Sequence, residues 1–378
     1  MKILQLGKFY PIRGGVEKVM WDLTRGLDAA GVNCDMLCAS TDMTACDPRD
    51  EQFLAPDSCF HFPGGNRVIR VKAIRKLAAT MISPAMVHWV RKHGGEYDII
   101  HIHHPDPMAA LALRLSGYRG RVVLHWHSDI VSQQLFLQLY RPLQRWLIRR
   151  ADRIVGTTPT YLQASPWLRD VQDRCRCIPI GIAGLSPDPM LSATIRARYP
   201  EGTLLLSVGR LVPYKGYSYL IEAMRHLPDS FHLVIGGTGP LEAQLRAQIE
   251  EEGLSGRITL AGYLSDADLP GYFGACDIFV LPSVMKTEAF GIVQIEAMSC
   301  GKPVVATRIP GSGVAWVNAE GVSGQNAEPG DAAALARAIR EVNGAREKYA
   351  SGALGRFQAQ FTSTRMINNI KQLYETLV

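Results

Sequence analysis

The sequence lacks any run of about 18 uncharged apolar residues, the minimum for a membrane-spanning helix. The apolar run at its start, residues 3–6, is also too short for a secretory signal and leads into a loop with glycines, so we expect a first strand there. Apolar residues make up 47% and charged residues 20% of the 378 residues, as in soluble globular proteins. We therefore expect a cytoplasmic protein with two domains, each with its own core.

Metal-binding patterns are missing as well. The eight cysteines are scattered, and Cys175 and Cys177 are too close together for a zinc knuckle. His101, His103 and His104 lie on one predicted strand, where the first two share a face and the third lies opposite. We predict no metal site and free thiols in a reducing compartment.

Acidic residues are absent from residues 58–95, which carry seven cations: Arg67, Arg70, Lys72, Arg75, Lys76, Arg91 and Lys92. Residues 1–182 as a whole hold 24 Lys and Arg against 16 Asp and Glu, whereas the remainder holds 17 against 19. This asymmetry predicts an anionic partner for the first half.

The apolar residues between these cations are Ile69, Ile74, Leu77, Met81, Ile82, Met86 and Trp89. Arg141, Arg145 and Arg149 recur four residues apart on a further predicted helix and so share one face. We expect an anionic membrane surface as the partner, bound peripherally at the inner face of the cytoplasmic membrane, and no nucleic acid. The alternative is an ordinary solvated surface whose apolar residues belong to the core.

Strands and helices alternate along both halves, which predicts an α/β fold with parallel sheets. Residues 183–202 are rich in Pro, Gly and Ser and predict a linker between the halves. Within the basic segment, residues 67–92 predict one strand and a helix broken at Pro84.

One stretch of the second half predicts a ligand site. Residues 278–281 form an unbroken apolar run typical of a buried strand, and Gly291 opens a predicted helix. A helix that begins at the carboxyl end of a strand attracts phosphate through its free N–H groups. Glu288 and Glu296 flank this point, and carboxylates accept hydrogen bonds from sugar hydroxyls. A phosphate site flanked by two groups that bind sugar hydroxyls predicts a nucleotide sugar as the ligand.

A second loop supplies positive charge. Arg210 and Lys215 follow another buried strand and can clamp a diphosphate, the guanidinium by paired hydrogen bonds and the ammonium as a point charge. In isolation such a pair is more often a solvated basic loop. The glycine turn at residues 236–240 lacks the G-x-G-x-x-G spacing, so we expect a structural role for it. The single Asp-x-Asp, residues 266–268, lies at a predicted helix start, where capping is expected.

Residues 288–307, EAFGIVQIEAMSCGKPVVAT, closely resemble the E-x7-E signature of retaining glycosyltransferase family 4. The resemblance implies the GT-B fold, in which two Rossmann-like domains face each other and the final helix crosses back to the first. It implies an acceptor domain at residues 1–182, completed by residues 360–378, and a donor domain at residues 183–359.

The resemblance also implies residue roles. Glu288 holds the hydroxyls of the donor sugar, Glu296 holds the nucleotide ribose, and Arg210 and Lys215 neutralise the diphosphate. His127 bonds the transferred sugar near O6. Contacts to the donor are also expected from Gly14, Gly15, Leu264, Phe290, Gly291 and Ile292. His127, Glu288, Arg210 and Lys215 form the expected catalytic set, with no metal and no cofactor beyond the nucleoside diphosphate sugar.

Residues 310–318, PGSGVAWVN, look like those of bacterial enzymes that build O-antigen or exopolysaccharide, many of which transfer mannose. The expected reaction is transfer of mannose from GDP-mannose to a glycan or polyprenyl-diphosphate-linked acceptor, with retention. The alternatives are a UDP-sugar-dependent transferase, a GT-B epimerase or phosphorylase, and a non-enzymatic peripheral membrane protein with a degenerate nucleotide site. The intact Arg210, Lys215, Glu288 and Glu296 argue against degeneration.

Overall fold

The computed structural model describes residues 1–10, 14–43, 59–77, 80–130, 134–199 and 202–378. It divides into two compact units, Met1–Gly181 with Ser363–Val378 and Ile182–Thr362. The chain enters the second unit at Ile182, where residue 183 was predicted, and returns to the first at Ser363, where residue 360 was predicted.

The first unit alternates strands and helices. Its strands are β1 Lys2–Phe9, β2 Asn33–Ser40, β3 Cys59–His61, β4 Arg67–Lys72, β5 Arg75–Leu77, β6 Thr80–Ile82, β7 Ile99–His104, β8 Arg121–Trp126, β9 Arg153–Gly156 and β10 Cys175–Cys177. Its helices are α1 Gly15–Ala29, α2 Pro84–His93, α3 Pro107–Ser116, α4 Gln134–Arg150 and α5 Pro159–Ala164, and the unit is completed by α14 Ser363–Glu375.

The main sheet of this unit has the order β10-β9-β8-β7-β1-β2-β4-β3. All its pairings are parallel except that of β3 with β4. Ile3, Leu4 and Leu6 are fully buried in β1, as expected for a central strand of a parallel sheet. Helix α14 packs on α1 and so returns the chain to the first unit, as the family resemblance implied.

The second unit repeats the alternation. Its strands are β11 Thr203–Val208, β12 Phe231–Gly236, β13 Ile258–Gly262, β14 Ile278–Val280, β15 Val304–Thr307 and β16 Gly324–Ala327. Its helices are α6 Pro189–Arg196, α7 Tyr217–Met224, α8 Glu242–Glu251, α9 Leu269–Ala275, α10 Ile292–Ser299, α11 Val314–Val317, α12 Ala332–Gly344 and α13 Arg346–Gln360.

The sheet of the second unit is wholly parallel, in the order β13-β12-β11-β14-β15-β16. Leu205, Leu233 and Ile278 of the sheet pack with helix residues such as Ile221 and Ile339 in one core. Strands β11 to β13 succeed one another outward, and the chain then returns to place β14 on the other side of β11. The carboxyl ends of β11 and β14 therefore flank the point where open α/β sheets bind ligands.

Three predictions about local structure are wrong. The predicted linker contains α6, which packs on α9 through Leu191 and Ser192, whose hydroxyl donates to the carbonyl of Gly271. Pro84 does not break a helix but is the first residue of α2. The N–H groups of a helix's first turn have no carbonyl partner within the helix, so the N–H that proline lacks is not needed there. Asp268 does precede α9, but its carboxylate accepts from Ser265 rather than from the helix.

No helix within the described ranges is both long and apolar enough to cross a membrane.

Candidate functional site

The loop between β14 and α10 takes its shape from Gly291. This residue has a φ of 75°, in the left-handed region, and a Cβ at its position would lie 2.6 Å from Cδ2 of Leu281. A side chain at residue 291 would therefore strain the backbone and clash with the core. Helix α10 begins at Ile292, at the carboxyl end of β14, which is the arrangement that the sequence predicted.

Glu288 and Lys215, which are far apart in sequence, form an ion pair. The ammonium nitrogen of Lys215 lies 2.6 Å from Oε2 of Glu288, and both side chains are largely buried. Ser283 adds a hydrogen bond of 3.0 Å from its hydroxyl to the same oxygen. These contacts hold the pair in one geometry. They use one oxygen of the carboxylate and one N–H of the ammonium, so each group has further hydrogen-bonding positions that these contacts do not use.

Serine and threonine hydroxyls fix the backbone around Glu288. Ser312 donates its hydroxyl to the carbonyl of Glu288, and Thr307 donates to the carbonyl of Ser283. The N–H of Gly313 in turn donates to the carbonyl of Ala289 at 2.9 Å. The segment after β15 thus anchors the loop that carries the glutamate.

The loop after β11 places its two cations differently. Arg210 is exposed, and its guanidinium lies 3.5 Å from the hydroxyl of Tyr214. Lys215 is only 8% exposed and lies over Gly209, since a Cβ there would come within 3.2 Å of the ammonium nitrogen. Gly216 has a φ of 70°, and its Cβ position lies 2.2 Å from the carbonyl of Pro282. The loops after β11 and β14 are therefore in direct contact.

The glycine turn after β12 packs against the same loop. A Cβ on Gly237 would lie 1.9 Å from the carbonyl oxygen of Gly209, and one on Gly239 would lie 2.4 Å from that of Leu211. Only glycine allows these backbones to approach so closely. The finding agrees with the structural role predicted for this turn.

The remaining predicted residues of this unit are distributed along the same edge. Leu264 is buried over Gly236, at the end of β12, and not open to a ligand through its side chain. Phe290 is buried with its ring edge against Phe361. Glu296 is half-buried on α10, one turn after Ile292.

In the first unit, Gly14 and Gly15 mark the start of α1. Gly14 is the extended residue before the helix, and Gly15 is its first residue. A Cβ on Gly14 would lie 2.0 Å from Oε2 of Glu17, so glycine lets this buried carboxylate fold back over the helix start. Arg13 of the predicted loop lies outside the described residues.

His127 directly follows β8 and belongs to a buried group of histidines. Its Nε2 lies 2.9 Å from Nδ1 of His103, and its ring stacks on that of His125 with centroids 4.1 Å apart. The group consists of His101, His103, His104, His125 and His127. His101 stacks on His103 and on His125, whereas His104 stacks on Trp126. The prediction that His104 lies on the opposite face of the strand from His101 and His103 is therefore confirmed.

Burial keeps these imidazoles neutral. It lowers the pKa of His125 to about 3, and it lowers the pKa of His104, beside the cation of Lys8, to the same value. Burial and neighbouring imidazoles hold the pKa of His103 and of His127 well below the ordinary 6.5. The group therefore acts through hydrogen bonds rather than through charge near neutral pH.

Three of these histidines bring their nitrogens within 4.8 Å of one another, namely His101, His103 and His125. Two nitrogens on one zinc ion are at most about 4.2 Å apart, since each Zn–N bond is about 2.1 Å. Both nitrogens of His103 are moreover bonded, to His127 and to Gln5. A metal would have to displace one of these partners, and the absence of a metal site stays a prediction.

Several residues that hold the site were not predicted from the sequence. Ser283 and Ser312 support Glu288, and Gln5, His103 and Tyr374 support His127. Gln5 could have been predicted from the sequence, because a glutamine within the apolar run of β1 needs a hydrogen-bond partner when it is buried. Ser283 and Ser312 could not have been predicted in this way, since serine is common in loops.

Two family models match the chain. The model for glycosyltransferase family 4 matches residues 13–183, and the model for glycosyl transferases group 1 matches residues 194–351. The matches follow the two structural units.

Among curated proteins, the O-antigen chain mannosyltransferase C of Escherichia coli is 31% identical over all of this chain and 99% of its own length. The D-rhamnosyltransferase WbpZ of Pseudomonas aeruginosa is 30% identical over 96% of this chain and 93% of its own.

Solved structures share the fold. A sucrose-phosphate synthase from Thermosynechococcus elongatus matches with a TM-score of 0.78 and 24% identity over 100% of this chain and 99% of its own. The Anabaena protein Alr3699/HepE, solved with UDP, matches with a TM-score of 0.79 and 24% identity over all of both chains. At these identities the likeness concerns the fold.

Proposed function

The chain belongs to glycosyltransferase family 4 and has its GT-B fold, and we propose that it transfers mannose from GDP-mannose with retention and without a metal ion. The acceptor in this proposal is a glycan or a polyprenyl-diphosphate-linked glycan of a bacterial surface polysaccharide. The observation that carries the proposal is the ion pair between Lys215 and Glu288 at the carboxyl edge of the sheet.

This pair suits a molecule that has a diphosphate next to a sugar. The ammonium of Lys215 has three N–H donors, so one can remain on Glu288 while others reach a phosphate oxygen. Glu288 likewise offers acceptor positions to sugar hydroxyls while Ser283 and Lys215 hold Oε2. The pair thus links recognition of the leaving group to that of the transferred sugar.

Arg210 and α10 supply the remaining charge stabilisation. The exposed guanidinium can form paired hydrogen bonds to the diphosphate, and the free N–H groups at Gly291 and Ile292 add the positive end of the helix dipole. These groups stabilise the negative charge that grows on the leaving nucleoside diphosphate. Two fixed cations and a helix start do here what a divalent ion does in metal-dependent transferases.

The other assignments complete the proposal. Glu296, on α10, accepts hydrogen bonds from the ribose, and the backbone at Leu264 borders the base. From the first unit, His127 bonds a hydroxyl of the transferred sugar, and the backbone of Gly14 and Gly15 approaches the donor.

Mannose is supported by the full-length relation to the Escherichia coli mannosyltransferase. A second candidate donor carries D-rhamnose, because a D-rhamnosyltransferase is nearly as similar over nearly the same length. D-rhamnose is mannose without the hydroxyl at C6, so the two candidates differ by a single group.

A donor panel tests the proposal. GDP-mannose, GDP-D-rhamnose, UDP-glucose and UDP-galactose are each incubated with the full chain in EDTA, and release of nucleoside diphosphate is measured. We expect turnover with GDP-mannose, unchanged by EDTA. Turnover only with a UDP sugar would refute the donor, and turnover that needs added manganese or magnesium would refute the metal-independent mechanism.

We also propose that the first unit binds an anionic membrane surface reversibly. Helices α2, α3 and α4 pack side by side and contain no Asp or Glu. Beside them, Ile74 and Leu77 at the β5–β6 hairpin are 71% and 41% exposed, and Leu139 on α4 is 80% exposed. Other apolar residues of the segment, including Ile69 and Met86, belong to the core. The exposed cations of this acid-free layer of three helices, such as Arg141 and Arg145, together with the exposed apolar side chains on and beside it, suit a surface that holds a lipid-linked acceptor.

A further inference from the structure

A continuous hydrogen-bond chain runs through the core of the first unit to His127. The amide nitrogen of Gln5, on β1, donates to the hydroxyl of Tyr374, on α14, at 2.9 Å. The amide oxygen of Gln5 lies 2.7 Å from Nε2 of His103, on β7. Nδ1 of His103 then lies 2.9 Å from Nε2 of His127. All four side chains are buried.

The direction of each bond follows from the orientation of the Gln5 amide, whose nitrogen faces the hydroxyl of Tyr374 and the sulfur of Cys34. Because the Gln5 oxygen can only accept, Nε2 of His103 must carry a proton and donate it. A neutral imidazole has one N–H, so Nδ1 of His103 is an acceptor and Nε2 of His127 must be the donor. His127 therefore keeps a lone pair on Nδ1, which bonds to none of the described residues.

The chain holds its direction only while every member stays neutral. Burial and nearby imidazoles lower the pKa of His103 and His127, so neither takes up a proton near pH 7. Burial raises the pKa of Tyr374, so its hydroxyl keeps its proton and can donate it to Nδ1 of His101, 2.5 Å away. His127 itself stands at the carboxyl end of β8, where a parallel sheet presents residues to ligands.

We propose that Gln5, His103 and Tyr374 are positioning residues that fix the proton of His127 on Nε2, so that Nδ1 meets the substrate as a hydrogen-bond acceptor. The sugar hydroxyl that contacts His127 must then be a donor. This inference rests on the proposed function for the identity of the substrate, but the protonation pattern itself does not depend on turnover.

NMR of the imidazole nitrogens in the full chain measures that pattern without any substrate. The His127 signals are identified by their loss in His127→Gln. We expect a protonated Nε2 and a bare Nδ1 in the wild type. A protonated Nδ1 would overturn the proposal, because it requires the amide of Gln5 to point the other way and reverses every bond in the chain.

Two variants test whether the chain sets the pattern. Gln5→Met removes both polar ends, and Tyr374→Phe is a milder change that removes only the hydroxyl that orients the amide. We expect signals of both protonation forms of His127 in each variant. Tyr118→Phe, which removes a hydroxyl of the same unit that donates to backbone carbonyls outside the chain, serves as the control and should leave the signals unchanged. Unaltered His127 signals in Tyr374→Phe and Gln5→Met would refute the assigned roles.

Donor analogues give the second measurement. Donors are compared in which each sugar hydroxyl is replaced by hydrogen or by fluorine, which accepts hydrogen bonds weakly and cannot donate them. The hydroxyl that His127 contacts is identified as the one whose replacement lowers kcat/KM least in His127→Gln. In the wild type, replacing this hydroxyl by hydrogen or by fluorine should lower kcat/KM by about tenfold. That penalty should shrink in Gln5→Met. A fluorine that restores the rate would show Nδ1 as the donor and overturn the proposal.

If no donor is turned over, the proposed function fails while the NMR result still decides the protonation pattern. If turnover is normal and the spectrum shows Nδ1 protonated, only this inference fails.

Discussion

The two units share a parallel-sheet architecture but place polar groups at the edge of the sheet in opposite ways. In the second unit the candidate groups are in loops and at a helix start, and they carry formal charge, as in Lys215 and Glu288. In the first unit they lie on or directly after the strands, are buried, and are neutral, as in Gln5, His103 and His127. Eight of the ten histidines precede residue 182.

The difference follows from where each side chain leaves the backbone. A strand side chain in a sheet covered on both faces enters the core, where an unpaired charge is costly. A buried charge there has a partner, as Asp35 on β2 has in Arg67, whereas the imidazoles stay neutral. A loop side chain at the sheet edge can stay charged either because it keeps access to solvent, as Arg210 does, or because it has a partner of opposite charge, as Lys215 has in Glu288. The second unit is thus suited to hold a diphosphate, and the first to orient a neutral hydroxyl.

The largest loss of activity is expected on removal of the cations that are proposed to bind the diphosphate. Arg210→Ala or Lys215→Ala should lower kcat/KM by at least about 100-fold, because each removes a charge-assisted contact from the transition state. Donor turnover is the measurement, with Arg225→Ala, an exposed cation on the same unit, as the control.

Loss of Lys215 also leaves Glu288 largely buried without its partner, so the variant must be shown to remain folded by thermal unfolding. The double variant Lys215→Met with Glu288→Gln should regain stability but not activity. Near-normal turnover in both single variants would remove the diphosphate assignment.

A somewhat smaller effect should separate the two glutamates. Glu296→Ala should weaken binding of the nucleoside diphosphate by about 10- to 100-fold, whereas Glu288→Ala should chiefly lower kcat, since a hydrogen bond to a charged group contributes about 1.5–3 kcal/mol. Calorimetric titration and donor turnover measure the two effects, with Glu250→Ala as the control. Unchanged nucleotide affinity in Glu296→Ala would exclude the ribose contact.

The buried imidazoles should make the first unit sensitive to acid. In the unfolded chain a histidine takes up its proton near pH 6.5, but His125 in the folded chain does so only near 3. As the pH falls below 6.5, the unfolded state therefore binds protons that the folded state does not, and stability is lost. Each such imidazole contributes on the order of 1 kcal/mol per pH unit.

Urea unfolding at a series of pH values measures this loss. His125→Gln should reduce the slope of unfolding free energy against pH by about one proton. Equal slopes for the wild type and His125→Gln would mean that the imidazole already titrates normally in the fold.

The smallest effect per residue is expected at the acid-free layer. Near an anionic leaflet each cation contributes about 1 kcal/mol at most, so flotation with anionic vesicles should require several cations and disappear at high salt. Arg141→Gln with Arg145→Gln should reduce flotation, and Arg225→Gln with Arg246→Gln, on the second unit, should not. Protein that stays at the bottom of the gradient with anionic vesicles would favour a soluble acceptor.

The sequence predicted best where neighbouring residues determine the structure. The helix start at Gly291 follows from local backbone demands, and the shared face of His101 and His103 follows from strand alternation. The linker was predicted wrongly because α6 owes its place to packing on α9, far along the chain.

By itself, then, the sequence determined the alternating α/β architecture, the family signature and the residue types of the site. Only the tertiary structure decided that Lys215 pairs with Glu288 and that Tyr374 bonds to Gln5, which connects through His103 to His127. These contacts join residues distant in sequence, and no local pattern records them, because hydrogen bonds and ion pairs depend on which side chains the fold brings within about 3 Å.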